Sequence, residues 1–239
     1  MKSIVFSHKG KREVNQDYIL VQKINHETYL YLIADGMGGY EHGEIAAKLV
    51  AENVLTFLST VETINEAQIQ KAINKANLAI KQFCKKNNSK AGATIGGVIL
   101  QANQAVCFWV GDIKIFHFNN NQLINESTSH TLINEIKNNG SIKDSKQINK
   151  YKHVVTRSVQ GEVEFSVISL FKIENISSTD IIIICSDGIT DYYTGMCLQY
   201  LLVNSISIDY MIGSIEKNLL EVGKDNFSII CINCNSKIE

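Results

Sequence analysis

Five aspartates share an uncommon setting, each at the edge of an apolar run. They are Asp35 in YLIADG, Asp112 in FWVGDI, Asp187 in IIICSDG, Asp225 ahead of NFSII, and Asp17 at the start of DYILV. A single one would read as a turn residue whose side chain accepts from nearby backbone N–H groups. Five at core edges read differently, because a carboxylate leaving water there costs free energy unless a cation or a donor faces it. No Lys or Arg directly flanks Asp35 or Asp187. Oxygen donors suit Mg²⁺, Mn²⁺ or Ca²⁺, whereas zinc or copper would call for Cys or His. The chain has no HxxxH pattern and no DxDxDG calcium loop. A site gathered from separate strand ends is closer in form to two-metal catalysis than to a calcium clip. Four of the eight residues after Asp35 are glycine (Gly36, Gly38, Gly39 and Gly43). They would let a backbone carbonyl approach an ion, or permit a tight turn.

The elements that must carry these acids follow from periodicity. IVFSH (4–8), DYILVQKI (17–24) and TYLYLIAD (28–35) are rich in β-branched and aromatic residues, the mark of strands. Helical spacing of Ile45, Leu49, Val50 and Val54 predicts a helix from Gly43 to about Leu58. A second is expected from about Asn65 to Lys85, with Ile69, Ile73, Ala76, Ile80 and Phe83 on one face. Strands are predicted again at 94–101, 105–112 and 114–120, with NNNQ (119–122) as a hairpin turn. A short helix over 131–140 should stop at Gly140, and the polar stretch 141–152 reads as a loop. VVTRSV (154–159), FSVISLF (165–171), IIIICSD (181–187) and FSIICINC (227–234) read as strands, with an amphipathic helix over about 192–222. Strands come in runs separated by helices, which predicts antiparallel sheets flanked by helices rather than βαβ units.

With 239 residues, 45% hydrophobic and 20% charged, the chain suits one globular domain over 1–239. A net charge of −1 argues against a nucleic-acid partner, which a basic excess would mark. Six cysteines, mostly inside apolar runs, fit reduced buried thiols, and the CxxC of Cys231 and Cys234 lacks a second pair. No apolar stretch nears the roughly 18 residues a membrane span needs, so a cytoplasmic protein is expected.

The segments GKREVNQD (10–17), ADGMGGYEHGEIAA (34–47), GATIGG (92–97), VGDIKIF (110–116), VTRSV (155–159), CSDGITD (185–191) and GKDNFSIICI (223–232) occur in the order of a known family. In these the chain resembles the bacterial PP2C-like (PPM) serine/threonine phosphatases over essentially its whole length. The resemblance implies an α+β fold, a four-layer α-β-β-α sandwich of two antiparallel sheets with helices outside. It implies two to three Mn²⁺ or Mg²⁺ ions. Asp35 resembles the carboxylate bridging two of them, with the Gly36 carbonyl as a further ligand. Asp187 and Asp225 resemble the remaining ligands of the first ion, Asp17 lies by the second, and Asp112 matches a third, looser one. Arg12 matches the arginine that grips the substrate phosphate, since a planar guanidinium holds two phosphoryl oxygens at once.

The activity so implied is hydrolysis of phosphoserine and phosphothreonine by a water bridging two metals, reversing a cognate Ser/Thr kinase. A monomer acting on phosphorylated proteins, without nucleic acid or membrane span, is expected. The chain departs from the family pattern at several points. Gln16 stands where many members have Glu, Met37 where eukaryotic members carry a His, and GDIK (111–114) where GDSR is usual. SHT (129–131) replaces an Asp-His-Ser stretch, and Glu162 or Glu164 is the nearest acid after the VTRSV segment. His42 is read as a helix-start residue that could also transfer a proton. These departures motivate the alternative of a non-catalytic module that keeps the fold and binds phosphoproteins.

Overall fold

Alternation along the strands sorts the side chains into three apolar layers. In a computed structural model, which describes residues 2–37, 41–138, 151 and 153–235, strand β3 (Thr28–Gly36) shows this most clearly. Leu30, Leu32 and Ala34 enter one cluster, while Tyr31 and Ile33 enter another on the opposite face. Period-2 alternation puts successive residues on opposite faces of the sheet. The next odd position is Asp35, so the carboxylate extends the row that faces the opposite sheet.

Two five-stranded antiparallel sheets result. One runs in the order β1 (Lys2–His8), β10 (Phe227–Asn233), β9 (Asp180–Cys185), β6 (Lys114–Asn119), β7 (Gln122–Glu126). The other runs β2 (Asp17–Lys23), β3, β4 (Ala93–Gln101), β5 (Gln104–Val110), β8 (Ser169–Ile173). Helices α1 (Gly43–Leu58) and α2 (Glu66–Asn87) cover the second sheet. Helices α5 (Gly195–Asn204) and α6 (Ile208–Val222) cover the first. Two further short helices are α3 (Leu132–Asn138) and α4 (Asp187–Thr190), the latter sending Ile189 into the core beneath α5 and α6. The four-layer α-β-β-α order expected from sequence is the order observed.

Several local expectations are corrected. On α1 the buried face is Ala46, Ala47, Val50, Ala51, Val54 and Leu58, and Ile45 is exposed. Alanines let the helix approach β3 closely, leaving the larger Ile45 outside. The helix expected over 192–222 is two helices. Thr194 Oγ1 accepts from Cys197 N at 3.3 Å and Ser207 Oγ accepts from Tyr210 N at 3.1 Å, so each half starts on its own N-cap. The segment 154–159 forms no strand, and its β-type pairing is limited to two isolated bridges, Thr131–Val155 and Ala93–Val159. The strand read at 165–171 begins only at Ser169, because its partner β5 offers no paired residue beyond Trp109. The Asn-rich turn is present, with Asn120 and Asn121 both at positive φ (48° and 62°), as a type I′ hairpin requires. Gly38, Gly39, Tyr40, Gly140 and the loop 141–152, apart from Tyr151, lie outside the described residues.

Cys231 is wholly buried in β10 and Cys234 nearly so, both as free thiols, so the CxxC serves the core. Burial pushes the Cys231 thiol up to about 12, which suppresses thiolate chemistry. His117 also belongs to structure: its Nε2 meets buried Asp180 Oδ1 at 2.7 Å and its Nδ1 meets Asn125 Nδ2 at 3.1 Å. Among the described residues no helix is long and apolar enough to cross a membrane.

Candidate active site

The acids meet at one end of the seam between the two sheets. Strands β2 and β3 pair so that Asp17 lies directly opposite Asp35, and Asp35 in turn lies opposite Thr94 on β4. Like charges placed directly across an antiparallel pair destabilise it. The other sheet delivers Asp187, just past the end of β9, and Asp225, just before β10. Asp112 follows the end of β5 by two residues. Asp35, Asp112, Asp187 and Asp225 line one cleft of about 260 Å³, together with Arg12, Gln16, Gly36, Met37, Thr94, His153, Val155 and Asn226. Asp17 lies beneath it, 8% exposed.

A polar floor holds the two halves together. Ser186 Oγ donates to Asp17 Oδ2 at 2.8 Å across the seam and accepts from Ser228 N at 3.0 Å. Asn226 ties down the loop that carries Arg12. Its Oδ1 accepts from Gln16 N at 2.9 Å, and its Nδ2 donates to the Lys9 and Val14 carbonyls, each at 2.9 Å. Gly36 N donates to the Gln16 carbonyl at 3.0 Å, bringing β3 to the same loop. Ser186, Ser228, Asn226 and Thr94 were not singled out from sequence. A serine closing an isoleucine run just before Asp187, and an Asn just after Asp225, were the signals available.

The electrostatics are those of acids short of a cation. Burial, then the neighbouring aspartates, raise Asp35 well above the usual carboxylate range. Burial is also the first cause for Asp187, pushed up to about 8 with Asp112, Asp225 and Asp17 adding to it, and for Asp17, pushed up to about 6. Asp112 is raised by burial too. Among the described residues, Asp17 Oδ1 and Thr94 Oγ1 are buried without a hydrogen-bond partner. An unpartnered buried carboxylate oxygen, facing a like charge across a strand pair, is the environment a hard cation neutralises. The donor set is all oxygen, and it fits Mg²⁺ or Mn²⁺. Among the described residues no three His, Cys, Asp or Glu side chains close a cage round one point. Cations of this kind keep waters in their shell, so acids can serve them through water as well as directly.

Arg12 stands at the mouth, exposed, with Nε 2.9 Å from Asp225 Oδ1 and Nη2 2.6 Å from Oδ2. Hydrogen bonding to Asp225 raises its pKa above the ordinary value. The guanidinium is therefore already set for two-point contact with an oxyanion. His42 sits at the N-cap position of α1 with no capping bond from its side chain, packs edge-on against Phe83 at 5.5 Å, and is not among the cleft-lining residues. Its contacts are those of a helix-start residue. Glu162 and Glu164 line a different depression with Thr156, Ser158 and Gln160. His153, which sequence reasoning passed over, does line the cleft, 3.9 Å from both Asp187 and Asp191.

The family model for protein phosphatase 2C matches residues 6–207. The chain belongs to the protein phosphatase 2C family. Members of this family are metal-dependent phosphatases of phosphoproteins. A putative protein phosphatase of Mycoplasma pneumoniae is 24% identical over 95% of this chain and 93% of its own length. The serine/threonine phosphatase Stp of Listeria welshimeri is 26% identical over 86% of this chain and 84% of its own. Among solved structures, Stp1 of Staphylococcus aureus superposes with a TM-score of 0.85 at 22% identity, covering 96% of this chain and 93% of that one. A bacterial serine phosphatase superposes with a TM-score of 0.86 over the whole of both chains, also at 22% identity. At these identities the structural likeness speaks to the fold.

The raised acids make a pH prediction for the metal-free protein. Their folded pKa values exceed the unfolded value of about 3.9, so the native state binds more protons than the unfolded state between the two. The contribution of Asp17 and Asp187 is therefore most favourable below about pH 4 and declines as pH rises through about 6 and then about 8. Thermal unfolding in chelator should show Tm falling between pH 5 and pH 8. Saturating Mn²⁺ should remove most of that slope.

Proposed function

We propose that the protein hydrolyses phosphoserine and phosphothreonine in phosphoproteins, using two to three Mn²⁺ or Mg²⁺ ions, and so opposes a Ser/Thr kinase. The observation that carries this reading is the pairing of Asp17 directly opposite Asp35, with Asp17 Oδ1 buried and without a hydrogen-bond partner among the described residues. Asp35, Asp187 and Asp225 would hold one ion, Asp35 with Asp17 beside it a second, the Gly36 carbonyl would be a ligand to one of these two, and Asp112 would serve a looser third. When bound, such ions supply an acidified water and neutralise charge on phosphoryl oxygens. A relative's fold, the catalytic domain of the phosphatase PstP, has been solved with two manganese ions, which supports the same metal chemistry here.

The chain's own residues do the rest. Arg12 orients the phosphoryl group by donating from Nε and Nη2, the two atoms it now turns to Asp225. Ser186 and Asn226 fix the spacing of the acids across the seam, so the site needs little reorganisation as charge develops. Thr94 and Met37 complete the wall beside Asp35.

The test is Mn²⁺-dependent release of phosphate from a phosphothreonine peptide. Asp187→Asn should lower kcat by a factor on the order of 10²–10³, the usual scale for losing one preorganised electrostatic partner. Wild-type turnover no higher than that variant's would overturn the enzyme reading. Retained phosphopeptide binding in that case would favour a binding module. Arg12→Ala should lower kcat/KM by about 100-fold through lost orientation, and Arg12→Lys should not restore it.

A further inference from the structure

Asp112 reaches the cleft on a turn held by one buried histidine. Gly111 N donates to His130 Nδ1 at 3.0 Å, and His130 N donates back to the Gly111 carbonyl at 2.8 Å. Gly111 has φ +108°, and a Cβ there would lie 2.3 Å from Thr94 Cβ. Only glycine fits, and a glycine peptide without a tether has little to fix its direction. The ring of His130 is held on its other side as well. Its Nε2 lies 2.8 Å from Ser169 Oγ, and its plane stacks on Trp109 at 6.1 Å between centroids. Because Nδ1 accepts, the proton sits on Nε2 and is donated to Ser169. Burial, with Arg157 nearby, lowers the imidazole to about 4 and keeps it in this neutral form. The His130 carbonyl accepts from Thr156 N at 2.8 Å, tying down the segment that brings His153 and Val155 to the cleft.

We infer that His130 is a positioning residue, whose Nδ1 holds the Gly111 peptide and thereby sets where Asp112 presents its carboxylate. Four segments meet at its ring and backbone: the end of β5, residues 127–131, residues 154–157 and the start of β8. Without the acceptor, a buried N–H loses its partner and the Gly111 turn its anchor. The inference rests on the proposed metal site, in which Asp112 serves the loosest ion.

Calorimetric titration with Mn²⁺, run beside the phosphopeptide assay, tests it. His130→Phe keeps a ring on Trp109 and removes both nitrogens. The weakest Mn²⁺ site should loosen by about 10-fold or more, the scale for losing an outer partner of a ligand, while the tighter sites change little. His130→Asn restores an acceptor near Nδ1 and should recover most of that affinity, although it loses the Ser169 bond. In an Asp112→Asn background, His130→Phe should add nothing further at the weak site. Ser169→Ala should leave the weak site close to wild type. An unchanged weak site in His130→Phe, or equal losses in His130→Asn, His130→Phe and Ser169→Ala, overturns the inference alone. If His130→Phe does not fold, loss of the weak site in His130→Asn with retention in Ser169→Ala overturns it. Wild-type protein that binds no Mn²⁺ overturns the metal reading of the cleft and this inference with it.

Discussion

Asp35→Asn should abolish phosphatase activity and at the same time leave the metal-free protein as stable as wild type, or more so. Asp35 faces Asp17 across β2 and β3, and also faces Asp112, Asp187 and Asp225. Removing its charge takes away the carboxylate placed to serve two ions, so kcat should fall by at least about 10³-fold. The same change relieves a like-charge cross-strand pair, worth roughly 0.2–1 kcal/mol. In chelator the variant should therefore melt at the wild-type temperature or up to about 4 °C above it. Adding Mn²⁺ should raise the wild-type Tm and leave that of the variant nearly unmoved. A variant that melts well below wild type in chelator would show that Asp35 holds the fold by contacts of its own, contrary to the charge pattern.

Gly36→Ala should be among the most destabilising single-methyl changes in the chain. A Cβ at Gly36 would lie 2.2 Å from the Gly43 carbonyl oxygen, 2.3 Å from its carbon and 2.7 Å from its Cα. All three are backbone atoms at the start of α1, so no side chain can swing aside. The helix start or the end of β3 must move, and Asp35 moves with it. Overpacking of this kind costs about 3 kcal/mol, or roughly 6–12 °C in Tm for a chain of this size. Gly213→Ala is the control. It lies inside α6 with nothing within 4 Å of the added methyl. There alanine should stabilise by about 0.5–1 kcal/mol, from the lower entropy of the unfolded chain and better helix propensity. Differential scanning calorimetry on the two variants should give shifts of opposite sign.

What the sequence disclosed depended on whether one element could be read without its partner. Strand β3 and the position of Asp35 were legible because period-2 alternation and a terminal acid both lie within nine residues. The start of α2, expected at about Asn65, was equally local, and there Asn65 accepts from Gln68 N at 3.1 Å. The segment VVTRSV was not, since its β-branched residues promise a strand that no continuous edge receives. It is extended between two separate neighbours and pairs with each at one point. Asn226 was missed for a related reason. Its value lies in three backbone groups supplied by Lys9, Val14 and Gln16, more than 200 positions away. His130 was visible only as part of an altered motif, and nothing local says that its ring accepts from Gly111.

The donors of this site are divided between the halves of the sandwich. Asp17 and Asp35 belong to one sheet, Asp187 and Asp225 flank strands of the other, and Asp112 sits on the connection between the two. The distance between candidate ion positions is thus a property of how one sheet is set against the other, gauged by the 2.8 Å contact from Ser186 to Asp17. A load that slides the sheets by an ångström alters the coordination geometry before it breaks any strand pairing. On the proposed metal reading, cation affinity would report how the two sheets are aligned. A partner that grips both outer helical layers could change activity without approaching the cleft.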